Sequence, residues 1–140
     1  MTDKVEFELV SPQRLVKSLA VGMVVVPCAE GDIGVLPGHT PLIGTVRAGV
    51  VDIHNGGKVT ERIFVSGGFV EVTPDRCTLL AEEAAIVKDL KADVAEARLS
   101  AAKVAAEKAS SDVEKAHAAA ELAIAEAMLA AIASAAVTHH

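Results

Sequence analysis

The chain has no tryptophan and no tyrosine, and its only aromatic rings are Phe7, Phe64 and Phe69. Large rings ordinarily dominate core burial, so this core has to be assembled from many small and β-branched side chains. Glycine and proline are missing from residues 87–140, whereas residues 1–86 hold all ten glycines and all five prolines. No Lys/Arg-rich block occurs among the 13 basic and 19 acidic residues, and the net charge is −6. That balance argues against a nucleic-acid groove or direct binding to an anionic membrane. Cysteine is scarce. Cys28 and Cys77 stand apart without Cys-x-x-Cys spacing and are expected to be buried, reduced thiols rather than a disulfide. No segment is expected to span a bilayer, because the uncharged run 33–46 is broken by Gly34, Pro37, Gly38 and Pro41. Asp3, Lys4, Glu6 and Glu8 leave no apolar core for a secretory signal, so the chain is expected to stay in the cytoplasm.

What is present falls into two parts that meet near Ile86. Residues 1–86 have only six alanines, whereas residues 87–140 have 20 in 54 positions. The expected fold class is α+β in two parts. An antiparallel β-sandwich or flattened barrel occupies residues 1–86, and an antiparallel α-helical hairpin occupies residues 87–140. In the first part Val5, Phe7 and Leu9 alternate with Lys4, Glu6 and Glu8, the period of a strand with one buried face. Leu19 to Val26 reads as one continuous apolar strand. Val50, Val51 and Ile53 lead into Asn55-Gly56-Gly57 and then Val59 to Val65, the pattern of a tight hairpin. Phe69 to Thr73, Pro74-Asp75 and Arg76 to Ala81 read as another, giving at least seven strands.

In the second part Leu90, Val94, Ala97, Ala101 and Val104 recur at helical steps and are expected to form the buried face of a first helix. Ser110-Ser111-Asp112 is the polar break, with Ser111 as N-cap and Asp112 and Glu114 at the positive end of a second helix. Val113, Ala116 or His117, Ala120, Ile124, Ala127 and Ala131 are its expected apolar face. The alanines permit close approach of the helices but bury little area.

Reactive constellations are missing. The segment Glu30-Gly31-Asp32-Ile33-Gly34-Val35-Leu36-Pro37-Gly38-His39-Thr40-Pro41 is rich in glycine, yet it lacks the Gly-Lys-Ser/Thr ending of a phosphate loop. It reads as a rigid, turn-rich excursion. His39, His54 and His117 have no partners in sequence, so no metal site is expected, and His139 and His140 end the chain. Ser66-Gly67-Gly68 is not a nucleophile elbow, and Glu82 and Glu83 read as solvated carboxylates. Neither a catalytic residue nor a cofactor is expected.

Order and spacing then carry a resemblance. Phe7-Glu8-Leu9-Val10-Ser11-Pro12, the run from Gly31-Asp32 through Leu36-Pro37-Gly38-His39-Thr40-Pro41-Leu42, and Ser66-Gly67-Gly68-Phe69-Val70-Glu71-Val72 together resemble the epsilon subunit of bacterial F-type ATP synthases. The likeness covers essentially the whole chain. It implies a non-catalytic rotor subunit of the central stalk, bound to the gamma subunit and the c-ring. That address is the cytoplasmic face of the bacterial inner membrane, reached only through the complex. It also implies that Glu30, Gly31, Asp32, Gly34, Pro37, Gly38, His39 and Pro41 form the edge facing the c-ring and gamma.

In the family the helical hairpin can extend beside gamma and inhibit ATP hydrolysis on the alpha and beta subunits, using basic residues. Here Asp112, Glu114, Glu121 and Glu126 face only Lys115, a net −3, so weak or absent inhibition is expected. Some members bind ATP through Leu/Ile-Asp-x-x-Arg-Ala. The corresponding stretch around Asp93, Glu96 and Arg98 puts no arginine at the phosphate position, so no nucleotide site is expected. Rival readings are an ATP gauge, a small β-domain enzyme, or the equivalent mitochondrial subunit. The last lacks an Arg-rich transit segment before Phe7.

Overall fold

The computed structural model describes residues 4–137; Asp3, His139 and His140, named above, lie outside them. The chain divides into two compact units at the Ile86/Val87 boundary.

The first unit comprises β1 (Val5–Ser11), β2 (Arg14–Val21), β3 (Met23–Cys28), β4 (Gly31–Val35), β5 (Leu42–Val46), β6 (Gly49–Asn55), β7 (Lys58–Val65), β8 (Gly68–Val72), β9 (Arg76–Ala81) and β10 (Ala84–Ile86). They form one sheet in the order β10-β7-β6-β3-β5-β8-β9-β1-β2, with β4 attached to β3. The sheet curls so that β2 returns to the β6–β7 ribbon, where Lys17 Nζ meets Glu61 Oε1 at 2.6 Å. A flattened barrel results. One pair departs from the expected antiparallel arrangement: β1 runs parallel to β9, with Phe7 opposite Cys77 and Leu9 opposite Leu79. β1 makes a hairpin with β2 along one edge and lies parallel to β9 along the other, a neighbour to which no short turn connects it.

Alternation decides the core. Val5, Phe7 and Leu9 lose all solvent exposure, as do Val24, Val26, Val51, Ile53, Ile63 and Leu79. Each such side chain contributes on the order of 2 kcal/mol, so branched aliphatics do the work that aromatics do elsewhere. Cys28 and Cys77 are both buried and free. The β6–β7 turn is the tight one expected, with Asn55 paired to Lys58 and Gly56 and Gly57 at φ 61° and 78°. Asn55 itself stays in the strand and accepts the Gly22 N–H at 2.9 Å through Oδ1.

That bond explains a difference from the sequence reading. Leu19 to Val26 is two strands, not one, and the chain breaks at Gly22, whose N–H also donates to the His54 carbonyl at 3.0 Å. Both acceptors come from β6, a long-range partner that hydropathy cannot reveal.

The second unit contains a 3-10 turn at Val87–Asp89 and two helices, α1 (Ala92–Lys108) and α2 (Asp112–Val137). They pair along most of the length of α1, and Arg98 meets Glu121 at 3.7 Å. The buried face of α1 is Ala95 and Ala102, with Arg98 and Leu99 half-buried; Val94 and Val104 point to solvent. The expected face Val94-Ala97-Ala101-Val104 is therefore the outer one. In α2 the seam is Ala118, Ala125, Met128 and Ala131, while Val113 is 79% exposed. Steric size overrode hydropathy, because a seam of alanines lets two axes approach closely whereas a β-branched seam holds them apart.

Among the described residues α2 is the one helix long and apolar enough to cross a membrane by length and composition, with a mean hydropathy of 1.6 over an 18-residue stretch within Asp112–Ala135. The sequence reading weighed uncharged runs and overlooked this alanine-rich stretch. Glu121 and Glu126 lie inside it, each a costly group in hydrocarbon.

Candidate functional site

Of the residues singled out in the sequence, three converge. Glu30 occupies the β3–β4 turn and Gly31 and Asp32 open β4. They form one wall of a cleft of about 630 Å³, which Leu42 to Thr45 of β5 face from the other side. The cleft exists because β4 pairs only with β3, while β5 meets β3 at the single pair Cys28–Val46. Ala29 N–H donates to the Thr45 carbonyl at 2.8 Å and closes one end.

Asp32 is held rather than free. Arg47 Nη2 sits 2.6 Å from its Oδ1, and Nη1 of the same guanidinium donates to the Cys28 carbonyl. The Arg47 N–H reaches the Pro27 carbonyl at 2.9 Å. One arginine thus ties the tip of the β3–β4 hairpin to the β5–β6 connection.

The remaining expected contact residues lie apart from this cleft. Gly34 is further along β4, and Pro37, Gly38, His39 and Pro41 belong to the β4–β5 connection. Gly38, at φ 84°, donates its N–H to the Pro74 carbonyl at 2.6 Å, and the His39 N–H donates to Leu36 O at 3.1 Å. The His39 ring is spent locally, with Nδ1 2.7 Å from the Thr40 carbonyl. The excursion is as turn-rich as its glycines and prolines require, but it presents two separate stretches.

Sequence reasoning missed the larger feature beside the cleft. Ile43, Phe69, Leu80 and Leu15 are 76%, 60%, 52% and 55% exposed. Phe69 lies opposite both Thr45 and Leu80, Leu80 lies beside Val10, and Val10 opposes Leu15. These pairings string Phe69, Leu80, Val10 and Leu15 into one row across β8, β9, β1 and β2, and Ile43 on β5, opposite Glu71, stands diagonally from Phe69. Phe69 also lines the cleft, and with Leu80 it lines a second hollow of about 240 Å³ against Pro12 and Glu82. A signal was available: Leu42-Ile43, Phe69-Val70 and Leu79-Leu80 are adjacent apolar pairs inside strands. Since neighbours point to opposite faces, one of each pair must face outward. A contiguous exposed row of this kind marks an interaction surface.

Burial pushes the Cys77 thiol up to about 12, with a smaller contribution from Cys28. Burial also raises Cys28, against the opposing pull of the Arg47 charge and with a further push from Asp32. Both thiols are held protonated, the reverse of an activated nucleophile. Among the described residues no three His, Cys, Asp or Glu side chains gather as a metal site would require. On α1, Asp93 Oδ1 accepts the Val94 N–H at 2.9 Å and Arg98 is turned toward Glu121.

Comparison with known proteins shows the family. Residues 4–87 match the family model described as ATP synthase, Delta/Epsilon chain, beta-sandwich domain. The chain is 57% identical over 133 residues to the ATP synthase epsilon chain of Paramagnetospirillum magneticum, covering 95% of this chain and 100% of that one. It is also 57% identical over 102 residues to the epsilon chain of Rhodospirillum rubrum, covering 73% and 76%. The fold recurs in the Euglena gracilis mitochondrial ATP synthase OSCP/F1/c-ring structure, with a TM-score of 0.80 at 19% identity, covering 94% of this chain and 83% of that one. It recurs again in the Tetrahymena thermophila mitochondrial ATP synthase central stalk/c-ring, with a TM-score of 0.70 at 15% identity, covering 92% and 96%. With a family model spanning the whole β-unit and a relative matched from end to end, the chain belongs to the ATP synthase epsilon-chain family.

Proposed function

We propose that this chain is a non-catalytic rotor subunit whose β-unit grips the gamma subunit through the row Ile43–Phe69–Leu80–Leu15. The edge at Glu30, Gly31 and Asp32 then faces the c-ring. The observation that carries this reading is the outward apolar row, which no other described part of the unit covers. It runs beside a cleft whose acidic lip is stapled by Arg47. Burial of a ring such as Phe69 against a partner supplies affinity, and its rim of Thr45, Glu71 and Thr78 supplies register. A curled sheet resists bending better than a loop does, which suits a part that passes torque between turning neighbours. Gly34, Pro37, Gly38, His39 and Pro41 belong to this contact edge as braces for β4. The address follows from the complex: the cytoplasmic face of the bacterial inner membrane, held there by partners.

The helical unit has a lesser role in this reading. Its second helix is acidic, so hydrolysis by the alpha and beta subunits is inhibited weakly or not at all, and removing residues 88–140 leaves ATPase activity nearly unchanged. A large rise in hydrolysis on truncation would overturn that part. Arg98 is engaged with Glu121, and titration with millimolar ATP is expected to give no isotherm.

The test of the main reading uses membranes stripped of this chain. Adding back the wild-type protein restores proton-coupled ATP synthesis, whereas Phe69→Glu with Leu80→Glu does not. Equal restoration by the double variant would remove the row from the rotor contact.

A further inference from the structure

β4 is a weak strand. Its residues Gly31-Asp32-Ile33-Gly34-Val35 include two glycines, and it pairs along one edge only, with β3. Glycine packs no side chain and loses more entropy on ordering than any other residue. A two-stranded ribbon by itself is marginal in water. The base of this ribbon is anchored, because Val35 is buried and Ile33 packs against the core. The tip is not, for Glu30, Gly31 and Asp32 are all exposed. Asp32 carries the one polar side chain in β4, so a side-chain hydrogen bond or ion pair from this strand has to pass through it.

Arg47 makes that bond, and makes it with a fork. Nη2 lies 2.6 Å from Asp32 Oδ1 while Nη1 donates to the Cys28 carbonyl. One planar guanidinium therefore grips both strands of the ribbon, on either side of the Ala29-Glu30 turn. A lone exposed ion pair contributes little. A fork that meets two acceptors at once fixes orientation as well as distance. Arg47 is itself seated in the barrel: it follows Val46, buried at the end of β5, and its N–H donates to the Pro27 carbonyl at 2.9 Å.

We propose that Arg47 is the positioning residue of the rotor contact. It clamps the β3–β4 ribbon to the start of the β5–β6 connection, so a sideways force on Glu30, Gly31 and Asp32 turns the barrel rather than bending the ribbon. The role in rotation rests on the assignment of that edge to the c-ring, whereas the clamp is a property of the chain alone.

The test separates the fork from the charge. Arg47→Gln removes both, and Arg47→Lys keeps the charge but offers a point donor on a flexible stem. In the purified full-length chain, backbone hydrogen exchange across residues 29–34 should quicken about fivefold or more in both variants. Exchange in β1 and β9 should stay as in the wild type. In membranes stripped of this chain and given it back, both variants should rebind as the wild type does. Protons pumped per ATP hydrolysed should nevertheless fall at least about twofold, as when the support behind a contact residue is loosened. Asp32→Lys reports on the edge itself and should lower the same ratio. A fall with Asp32→Lys and none with the Arg47 variants would overturn the clamp and leave the edge assignment standing. No fall with Asp32→Lys would remove the edge from the c-ring contact, and the proposal with it. Unchanged exchange at 29–34 would overturn the clamp, and so would a lysine variant that behaves as the wild type, because charge alone would then suffice.

Discussion

Phe69 on β8 lies directly opposite Leu80 on β9, and both side chains point out of the barrel. Their strand neighbours Val70 and Leu79, also opposite one another, point inward and are buried. The same two strands therefore build the core with one face and leave an uncovered apolar strip on the other.

The strip and the core should separate cleanly in mutants. Phe69→Ser with Leu80→Ser should shift the free energy of unfolding by no more than about 1 kcal/mol, since exposed positions each carry about ±0.5 kcal/mol. Val70→Ala should cost on the order of 2 kcal/mol by opening a cavity. Urea unfolding of the three proteins checks this. A large loss from the double serine variant would mean that the row is structural.

Gly68, one residue before Phe69, has φ 150°, and a Cβ there would stand 1.8 Å from the Leu80 carbonyl oxygen. Gly68→Ala must therefore push β8 away from β9, and a loss of about 3 kcal/mol or more is expected. Gly56→Ala serves as the comparison. It also sits at positive φ, but nothing lies within 4 Å of the new methyl, so it should cost only about 1–2 kcal/mol. Denaturation midpoints of the two variants should rank in that order.

Cys77 makes stability depend on pH at the alkaline end. Its thiol titrates near 9.0 in the unfolded chain and is pushed up to about 12 in the fold. Between those values the unfolded chain has released the proton and the native chain has kept it. The native advantage is whole below pH 9 and shrinks as pH rises, by up to about 1.4 kcal/mol per unit. Urea midpoints at pH 8 and pH 10 should show the decline, and Cys77→Val should flatten it. An unchanged slope in the valine variant would assign the effect to another group.

Much of this molecule is legible in its sequence. Val5-Phe7-Leu9 and Asn55-Gly56-Gly57 write their strand and turn into local sequence, because period two and positive φ are local demands. The cap at Ser111, whose Oγ accepts the Glu114 N–H at 3.1 Å, was equally local. What escaped was non-local. Gly22 ends β2 because β6 offers it two acceptors, and β1 joins β9 in parallel across most of the unit. The helix seam was misplaced because alanine is apolar on every face, so hydropathy carries no direction where 20 of 54 residues are alanine. At the candidate site, Asp32 was picked out but its staple Arg47 was not, since they lie 15 residues apart and meet only through the β3–β5 approach.

The most direct measurement is the affinity of the whole chain for purified gamma subunit, alone and with Phe69→Glu. A stiff collar that holds its shaft through the row should bind saturably and lose at least about 30-fold on the substitution, as expected when a buried aromatic anchor is replaced by a charge. Equal binding by the two proteins, or no association at all, would contradict the account.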